Sequence, residues 1–334
     1  MPLDGEALFE ESVETLLNLQ QTEMKKIGLL FPGQGAQTVG MGCDLYESYA
    51  PARHVFDHAN DQLGYSLTAL CFKGPESDLT QTLHAQVAIF VTSLATLAAL
   101  RSIFPKFKPH LACGLSLGEF TSLVALESIS FEEGLNLVRR RAQLMEEACQ
   151  KQPGTMASLL GFSEARCNEL CRETGVELAN LNSPEQMVIS GPVAKVEKAC
   201  QVAKAKGAKR VIPLKVSGAF HSSLMEHARA GLEAALAHTE IKAPLGLFIP
   251  NVTGAPVSNP DQIKLLLAKQ LICPVQWIKT MTTVSESGVT ECLEIGPGRV
   301  LKGLAKKNNS NLNVTSIATQ TELEPRDERE VHFQ

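Results

Sequence analysis

The sequence predicts an α/β protein in which a parallel sheet, flanked by helices, carries a smaller inserted domain. Three observations lead to this fold class. Short apolar runs such as residues 26–31 end in proline and glycine, as buried strands do. A strand, a serine turn and a helix follow one another from residue 110. The pattern then changes over residues 154–216. We expect a large domain at 24–153 and 217–310 and a small domain at 154–216.

Size and charge exclude several classes of protein. The chain has 334 residues, 44% hydrophobic and 20% charged, which is enough for a large buried core. A net charge of −5 offers no field that holds a polyanion, so we expect no nucleic-acid partner. The longest apolar stretch, residues 85–100, is interrupted by polar side chains and falls short of the roughly 20 residues of a membrane span. It predicts a buried helix and no membrane partner.

The nine cysteines occur without C-x-x-C or any paired spacing. This pattern predicts neither a metal site nor a disulfide framework. Thiols of this kind are typical of core positions in a reducing compartment. We therefore expect a cytoplasmic protein with no metal and no cofactor.

The two ends of the chain differ in composition from the rest. Residues 1–23 contain acidic side chains but no Lys or Arg, the opposite of a transit peptide, and we interpret them as an N-terminal extension. The last dozen residues are strongly charged. We expect residues 311–334 to be a partly disordered tail.

A glycine-rich loop, PGQGAQTVGMG at residues 32–42, follows the first predicted strand. It fails the G-x-G-x-x-G test of dinucleotide-binding loops because Thr38 stands where the third glycine is required, and it lacks the P-loop pattern. Two interpretations stay open. The loop is a tight turn, or its backbone N–H groups form one side of an oxyanion hole.

The turn GLSLG at residues 114–118 matches the G-x-S-x-G pattern, in which flanking small residues let the chain reverse and expose the serine. Its context is the required one, because a buried helix at 85–104 and a strand at 110–113 precede it and a helix begins at Gly118. This predicts Ser116 as a nucleophile, with the N–H of Leu117 as an oxyanion donor. The alternative is an ordinary loop serine.

The insertion predicts strand, helix, strand, strand, helix and strand in that order. The strands have the sequences TMASLLG, VELANLN, QMVISG and KRVIPLKV, and the helices lie at 163–174 and 193–206. This is the order of the split-βαβ or ferredoxin-like unit.

A serine nucleophile needs a base, and His221 is the candidate that stands out among eight histidines. It follows the last strand of the insertion and opens a helix, where it can face the large sheet; the alternative is a capping or core histidine. No aspartate occurs between Asp78 and Asp261, which excludes an aspartate triad in the hydrolase order and leaves only glutamates such as Glu164 or Glu185. A Ser–His dyad oriented by a backbone carbonyl fits better.

Arg141 is a charge on an apolar helix stripe, with Leu137 and Leu144 as its i−4 and i+3 neighbours, whereas Arg139 and Arg140 are interpreted as solvated. A buried guanidinium needs an anion, and its planar fork suits a carboxylate. Two interpretations remain open. Arg141 binds a substrate carboxylate, or it has a structural role, as a partner in an internal ion pair or as a side chain whose charged end reaches water.

Together these motifs resemble those of the malonyl-CoA:acyl carrier protein transacylases of type II fatty acid synthesis and, more distantly, the acyltransferase domains of polyketide synthases. The similarity covers residues 24–307. Five motifs occur in order, namely FPGQGAQTVGMG, GLSLGE, RRRAQLM, GAFHS with NVTG, and QLICPVQW leading to EIGPGRVLKGL. One departure is that the family commonly has GHSLGE, where this chain has Leu115.

The resemblance implies an α/β-hydrolase-like large domain and a ferredoxin-like small domain. It also implies roles for seven residues: Ser116 as nucleophile, His221 as base and acid, Arg141 as clamp for the substrate carboxylate, Gln34 and Leu117 as oxyanion donors, Gln270 as the carbonyl that orients the histidine, and Asn251 as a pocket residue.

The implied substrate is malonyl-CoA, the implied partner is acyl carrier protein, and the implied route is ping-pong transfer through a malonyl-serine ester. The AFHS form at residues 219–222 goes with malonyl selection in related polyketide acyltransferases. We expect a monomer. Because carrier proteins of this class are acidic, docking requires a basic patch, for which there are two candidates: Lys204, Lys206, Lys209 and Arg210, or Lys302, Lys306 and Lys307.

Two other functions share part of these motifs. A serine esterase or thioesterase would share the serine turn, but it predicts an acidic triad member and no dependence on Arg141. A non-catalytic nucleotide binder would use the glycine loop, whose spacing disfavours it.

Overall fold

The computed structural model describes residues 26–323, so the expected N-terminal extension lies outside the described residues. The strands are β1 (Ile27–Phe31), β2 (Leu111–Gly114), β3 (Gly154–Leu160), β4 (Glu177–Ser183), β5 (Gln186–Pro192), β6 (Arg210–Pro213), β7 (Leu247–Phe248), β8 (Glu291–Ile295) and β9 (Asn313–Ile317). The helices are α1 (Cys43–Ser48), α2 (Ala50–Leu63), α3 (Leu67–Lys73), α4 (Glu76–Leu79), α5 (Thr82–Ile103), α6 (Gly118–Ala125), α7 (Phe131–Lys151), α8 (Glu164–Thr174), α9 (Val193–Ala205), α10 (Glu226–Ala237), α11 (Pro260–Lys269), α12 (Trp277–Glu286), α13 (Val300–Asn308) and α14 (Gln320–Leu323).

A five-stranded parallel sheet in the order β7-β2-β1-β8-β9 forms the larger layer. All residues of β1 are buried, as expected for a strand covered on both faces. Successive side chains of β1 point to opposite faces, so that Leu29 and Phe31 join one apolar cluster and Leu30 joins another. Because parallel strands end at the same edge, the turns after β1 and β2 lie side by side.

Helix α5 is long and apolar enough to cross a membrane by length and composition. In the structure 83% of its most apolar window is buried inside the protein, where the helix packs against α2 and α7. The predicted buried helix at 85–100 is thus a core helix of this fold.

A separate four-stranded antiparallel sheet has the order β4-β5-β3-β6. Its chain order of strand, helix, strand, strand, helix and strand is the predicted one. It has a core of its own beneath α8 and α9. The edge strand β4 also pairs with Val275, in the segment before α12, through two backbone hydrogen bonds. The N–H of Leu181 donates to Val275 O at 2.9 Å, and the N–H of Val275 donates to Ala179 O at 2.8 Å.

Two expectations are wrong in detail. Residues 313–323 are not a disordered tail, because β9 pairs with β8 as the edge of the parallel sheet and α14 follows it; Val314 and Ile317 are buried there. The rest of the tail, residues 324–334, lies outside the described residues. His221 does not open a helix. It precedes a short 3₁₀ turn at Ser223–Met225 and has a φ of 56°.

Candidate active site

The turn between β2 and α6 places Ser116 at the carboxyl edge of the parallel sheet. Ser116 has a φ of 52°, an unfavourable left-handed conformation for a residue with a side chain. The two flanking glycines are required by space, since a Cβ atom on Gly114 would lie 2.3 Å from the carbonyl carbon of Gly118, and one on Gly118 would lie 2.3 Å from Phe31 O. The serine turn therefore has the tight geometry that its sequence predicts.

The imidazole of His221 contacts this serine directly. Its Nε2 atom lies 3.0 Å from Ser116 Oγ, and its Nδ1 atom lies 2.8 Å from the backbone oxygen of Gln270. Because a carbonyl oxygen only accepts, Nδ1 carries the proton and the Nε2 lone pair faces the serine hydroxyl. Burial, reinforced by the positive charge of Arg141, lowers the pKa of His221 to about 4. The imidazole is therefore neutral at physiological pH and ready to accept a proton.

The guanidinium of Arg141 reaches the same hydroxyl. Its Nη2 donates to Ser116 Oγ and to Gln270 Oε1, each at 2.8 Å, and its Nη1 donates to Gln86 Oε1 at 2.5 Å. The side chain is 1% exposed, and burial lowers its pKa to about 10. Within residues 26–323, its Nε atom has no hydrogen-bond partner and its guanidinium forms no direct ion pair. The cation is thus held by neutral acceptors, with an unpaired donor remaining.

Two amide side chains fasten the serine turn to neighbouring segments. Asn251 accepts the N–H of Ser116 at 2.6 Å through Oδ1 and donates to Gly114 O at 2.7 Å through Nδ2. Gln270 donates to Ser116 O at 2.8 Å through Nε2. Both side chains are fully buried. The backbone on each side of the nucleophile is therefore held from outside the turn.

The glycine-rich loop lies beside the serine turn. A Cβ atom on Gly33 would lie 2.5 Å from Leu115 O, so the loop approaches this closely only because residue 33 is glycine. In the part of the chain that the structure describes, the backbone N–H groups of Gln34 and Leu117 have no acceptor. The glycine-rich loop and the serine turn therefore each carry an unpaired backbone N–H group close to where the two segments meet.

Known proteins match this chain over most of its length. The family model for the acyl transferase domain matches residues 29–331. The malonyl CoA-acyl carrier protein transacylase of Bacillus subtilis is 40% identical over 306 residues, which make up 90% of this chain and 96% of that protein. The chain belongs to the malonyl CoA-acyl carrier protein transacylase family.

Further members of this transacylase family are similar to the chain in sequence and in structure. The enzyme of Staphylococcus aureus strain MRSA252 is 38% identical over 301 residues, covering 89% of this chain and 96% of its own. The structure of the acyl-carrier-protein S-malonyltransferase from Burkholderia pseudomallei superposes with a TM-score of 0.86 at 39% identity, covering 89% of this chain and 98% of that one. A malonyl-transacylase in complex with a type II polyketide synthase acyl carrier protein also has a TM-score of 0.86, at 36% identity, covering 90% of this chain and 98% of that one. The resemblance stated from the motifs is confirmed.

Four of the residues predicted for a transacylase site contact Ser116 directly, namely Arg141, His221, Asn251 and Gln270. Leu117 follows the serine in the chain, and Gln34 follows Gly33, the residue that approaches Leu115. Sequence reasoning missed two buried neighbours, Gln86 on α5 and Glu119 on α6. Gln86 is one of the polar interruptions in an apolar helix, and Glu119 is the last letter of the GLSLGE motif. A polar residue within a stretch that must be buried is the signal that would have found both.

No acidic triad member contacts the histidine of this transacylase. Among the described residues, the hydrogen bond of His221 Nδ1 goes to a carbonyl and not to Glu164 or Glu185. Glu185 instead pairs with Lys209 at 3.7 Å on the surface. No group of three or more His, Cys, Asp or Glu side chains within residues 26–323 is arranged to hold a metal ion. The nine cysteines, all in this region, are free thiols.

Proposed function

We propose that this chain transfers the malonyl group from malonyl-CoA to the phosphopantetheine thiol of acyl carrier protein, supplying fatty acid synthesis. One observation carries the proposal: Ser116 Oγ lies 3.0 Å from a neutral imidazole nitrogen and 2.8 Å from a buried guanidinium nitrogen. The base and the cation that would bind a substrate carboxylate thus both contact the nucleophilic oxygen. The activity of the relatives named above supports the same conclusion.

In the first half of the proposed reaction, Ser116 Oγ attacks the thioester carbonyl carbon while its proton moves to His221 Nε2. The tetrahedral oxyanion accepts hydrogen bonds from the N–H groups of Gln34 and Leu117. The carbon–sulfur bond then breaks, and the sulfur of CoA takes the proton from His221. A malonyl ester of Ser116 remains.

In the second half, the thiol of the carrier protein gives its proton to His221 and attacks the ester carbon. The carbon–oxygen bond to Ser116 breaks, and the serine recovers its proton from the imidazole. The product is the malonyl thioester of the carrier protein. All protons and electron pairs are supplied by substrates and side chains, so the mechanism needs no cofactor.

Arg141 is proposed to select donors that carry a free carboxylate. Its fork has an unpaired Nε donor and is surrounded by neutral acceptors, an arrangement that favours a bidentate anion. An acetyl or long acyl group would fill the site without pairing the buried cation, which costs free energy. Malonyl donors are therefore preferred.

For docking of the carrier protein, we favour Lys302, Lys306 and Lys307 on α13. In the other candidate patch, Lys206 pairs with Glu173 and Lys209 with Glu185. Within residues 26–323 the α13 lysines are exposed and form no ion pair, which leaves their charges free for an acidic partner. Helix α13 also begins just after β8, at the sheet edge that carries Ser116.

The proposal also covers the type of each domain, the oligomeric state and the cellular compartment. We assign the parallel sheet and its helices to an α/β-hydrolase-like domain formed by residues 26–153 and 217–323, and the antiparallel sheet to a ferredoxin-like domain at 154–216. The order β4-β5-β3-β6 supports the second assignment. We propose a monomer that works in the cytoplasm.

Intact-mass analysis after mixing the protein with malonyl-CoA tests the function. We expect a malonyl adduct on wild type that disappears when acyl carrier protein is added, and no adduct on Ser116→Ala. Release of free malonate without an adduct and without transfer would favour the esterase alternative. A Ser102→Ala variant, at a serine near the far end of α5, serves as the matched control and keeps the adduct.

A further inference from the structure

Glu119, at the start of α6, is a buried acid to which the mechanism above assigns nothing. Its side chain is 0% exposed. Burial raises the pKa of this carboxyl group, whereas the hydrogen bonds from Asn251 and Gln270 and the charge of Arg141 oppose that rise. Both carboxylate oxygens accept hydrogen bonds, Oε1 from the N–H of Asn251 and Oε2 from Nε2 of Gln270. A protonated acid would direct its O–H at one of these N–H donors, so the two hydrogen bonds favour the carboxylate form in spite of its burial.

The two partners of Glu119 are the residues that fasten the nucleophile. Asn251 accepts the Ser116 N–H at 2.6 Å. Gln270 contacts three groups of the site, with Nε2 donating to Ser116 O at 2.8 Å, Oε1 accepting from Arg141 Nη2 at 2.8 Å, and its backbone oxygen accepting from His221 Nδ1 at 2.8 Å. Glu119 therefore bonds directly to the two residues, Asn251 and Gln270, that between them contact Ser116, Arg141 and His221.

A carboxylate is the side chain that can define the direction of this network, because it accepts and does not donate. With Glu119 as acceptor, the NH₂ end of the Gln270 amide must face Glu119, and its oxygen must face Arg141. The reversed amide would direct two donors at each other on the Arg141 side and two acceptors at each other on the Glu119 side. The amide orientation that Arg141 needs is thus imposed by the charge on the other side of Gln270.

We propose that Glu119 is a positioning residue that, as a carboxylate, orients the Gln270 amide and the Asn251 backbone and so aligns Arg141 and His221 on Ser116. This inference rests on the proposed function. The competing explanation is a purely structural one, in which an acid in the first turn of α6 only favours the helix N-terminus. The two explanations differ in what a neutral isostere does to the chemistry of the folded protein.

The experiment compares Glu119→Gln with wild type by rapid-quench measurement of the malonyl-serine burst, using malonyl-CoA and acetyl-CoA. The burst amplitude counts correctly folded sites, and the burst rate reports their alignment. Glutamine cannot accept from both donors with its one oxygen, so either Asn251 or Gln270 loses its acceptor. We expect an amplitude near that of wild type, a malonyl burst rate reduced at least about tenfold, and a lower preference for malonyl over acetyl.

Glu294→Gln is the matched control. Glu294 is also fully buried and accepts the N–H groups of Leu301 and Lys302 at 2.8 and 3.0 Å and the hydroxyl of Ser316 at 2.9 Å, at the start of a different helix. We expect this variant to lose stability while its burst rate stays at the wild-type value. It separates the general effect of neutralising a buried glutamate from the effect at Glu119.

A Glu119→Gln protein with the wild-type burst rate overturns the inference, and so does one whose amplitude falls while its rate and malonyl preference are kept. If Glu119→Gln does not fold, Glu119→Asp replaces it; the shorter carboxylate cannot span both donors, and a wild-type rate in that variant is equally decisive against the inference. Absence of a malonyl adduct on wild type would instead contradict the proposed function, which keeps the two failures distinguishable.

Discussion

The Nε2 atom of His221 lies 3.0 Å from the Oγ atom of Ser116, although 105 positions of sequence separate the two residues. The serine follows a strand of the parallel sheet, whereas the histidine follows the last strand of the antiparallel sheet. A third segment completes the pair, because the carbonyl that orients the imidazole belongs to Gln270 at the end of α11. The dyad therefore forms only when both sheets are assembled.

Removing the imidazole should slow acylation far more than it affects folding. We expect His221→Ala to reduce the rate of malonyl-serine formation by about 10²–10⁴-fold, the usual contribution of a general base. His227→Ala is the matched control, because His227 is a half-exposed histidine six residues along the chain that contacts Lys151 and Glu147 at the surface. A burst rate that drops equally in both variants would argue against His221 as the base.

The pH dependence of kcat/KM should show an acid limb well below the ordinary histidine range. His221 must be neutral to accept the serine proton, so activity falls as the pH drops through its pKa. Burial lowers this pKa from 6.5 to about 4, which keeps the base form populated in mildly acidic buffer. We expect kcat/KM for malonyl-CoA to be nearly unchanged between about pH 7 and pH 5.5. Circular dichroism at each pH verifies the fold, and a midpoint near 6.5 would contradict the prediction.

Arg141 should determine which acyl group enters. We expect Arg141→Ala to lose about 3 kcal/mol of malonyl recognition, or about 10²-fold in kcat/KM, because the substrate carboxylate would be buried without its cation. Acetyl-CoA, which lacks that carboxylate, should be affected much less. Steady-state kinetics with both donors give the ratio of their kcat/KM values. Arg140→Ala is the control, since Arg140 is exposed and its ion pair with Glu147, at 3.9 Å, lies on the surface. If kcat/KM fell equally for malonyl-CoA and acetyl-CoA, Arg141 would have no role in selecting the donor.

The glycines of the serine turn should not tolerate a methyl group. We expect Gly114→Ala to destabilise the protein by at least about 2 kcal/mol, because its Cβ would lie 2.3 Å from backbone atoms of Gly118. The control is Gly303→Ala in α13, where an added Cβ has nothing within 4 Å and should stabilise the helix by about 0.5–1 kcal/mol. Urea unfolding measures both free energies. A Gly114→Ala protein as stable as wild type would show that the turn can open.

Reversing charge on α13 should weaken use of the carrier protein without changing the first half-reaction. We expect the Lys302→Glu, Lys306→Glu double variant to raise the KM for acyl carrier protein about tenfold, with less dependence on salt, and to form the malonyl-serine ester at the wild-type rate. The same change at Lys206 and Lys209 is the control, since both already pair with glutamates. If the control variant raised the KM for acyl carrier protein more than the α13 variant did, the docking site would lie on the antiparallel sheet domain instead.

Local chemistry made part of the site predictable from sequence. The G-x-S-x-G spacing required a sharp turn, and the glycine contacts at positions 114 and 118 have the close approach expected of it. The apolar neighbours of Arg141 favoured burial over a stem that reaches water, and the side chain is 1% exposed. These outcomes depend on steric limits and helical spacing within a few residues, which a sequence states directly.

Long-range pairing explains what was missed. The strand at Asn313–Ile317 is short and is followed by charged residues, so it looks like a tail until β8 supplies the partner for its backbone. Glu119 looks like an ordinary acid at a helix start until Asn251 and Gln270 reach its two oxygens from segments more than a hundred residues away. Neither feature has a local signature strong enough to reveal the partner.

The sequence by itself determined the kinds of groups available, namely a serine on a tight turn, a histidine without an aspartate partner and an arginine on an apolar helix face. Only the tertiary structure decided that these groups meet, that the histidine is neutral and that a buried glutamate stands behind them. The physical reason is that turn geometry and helix faces arise from neighbouring residues, whereas hydrogen-bond direction and pKa depend on burial and on charges brought from distant segments.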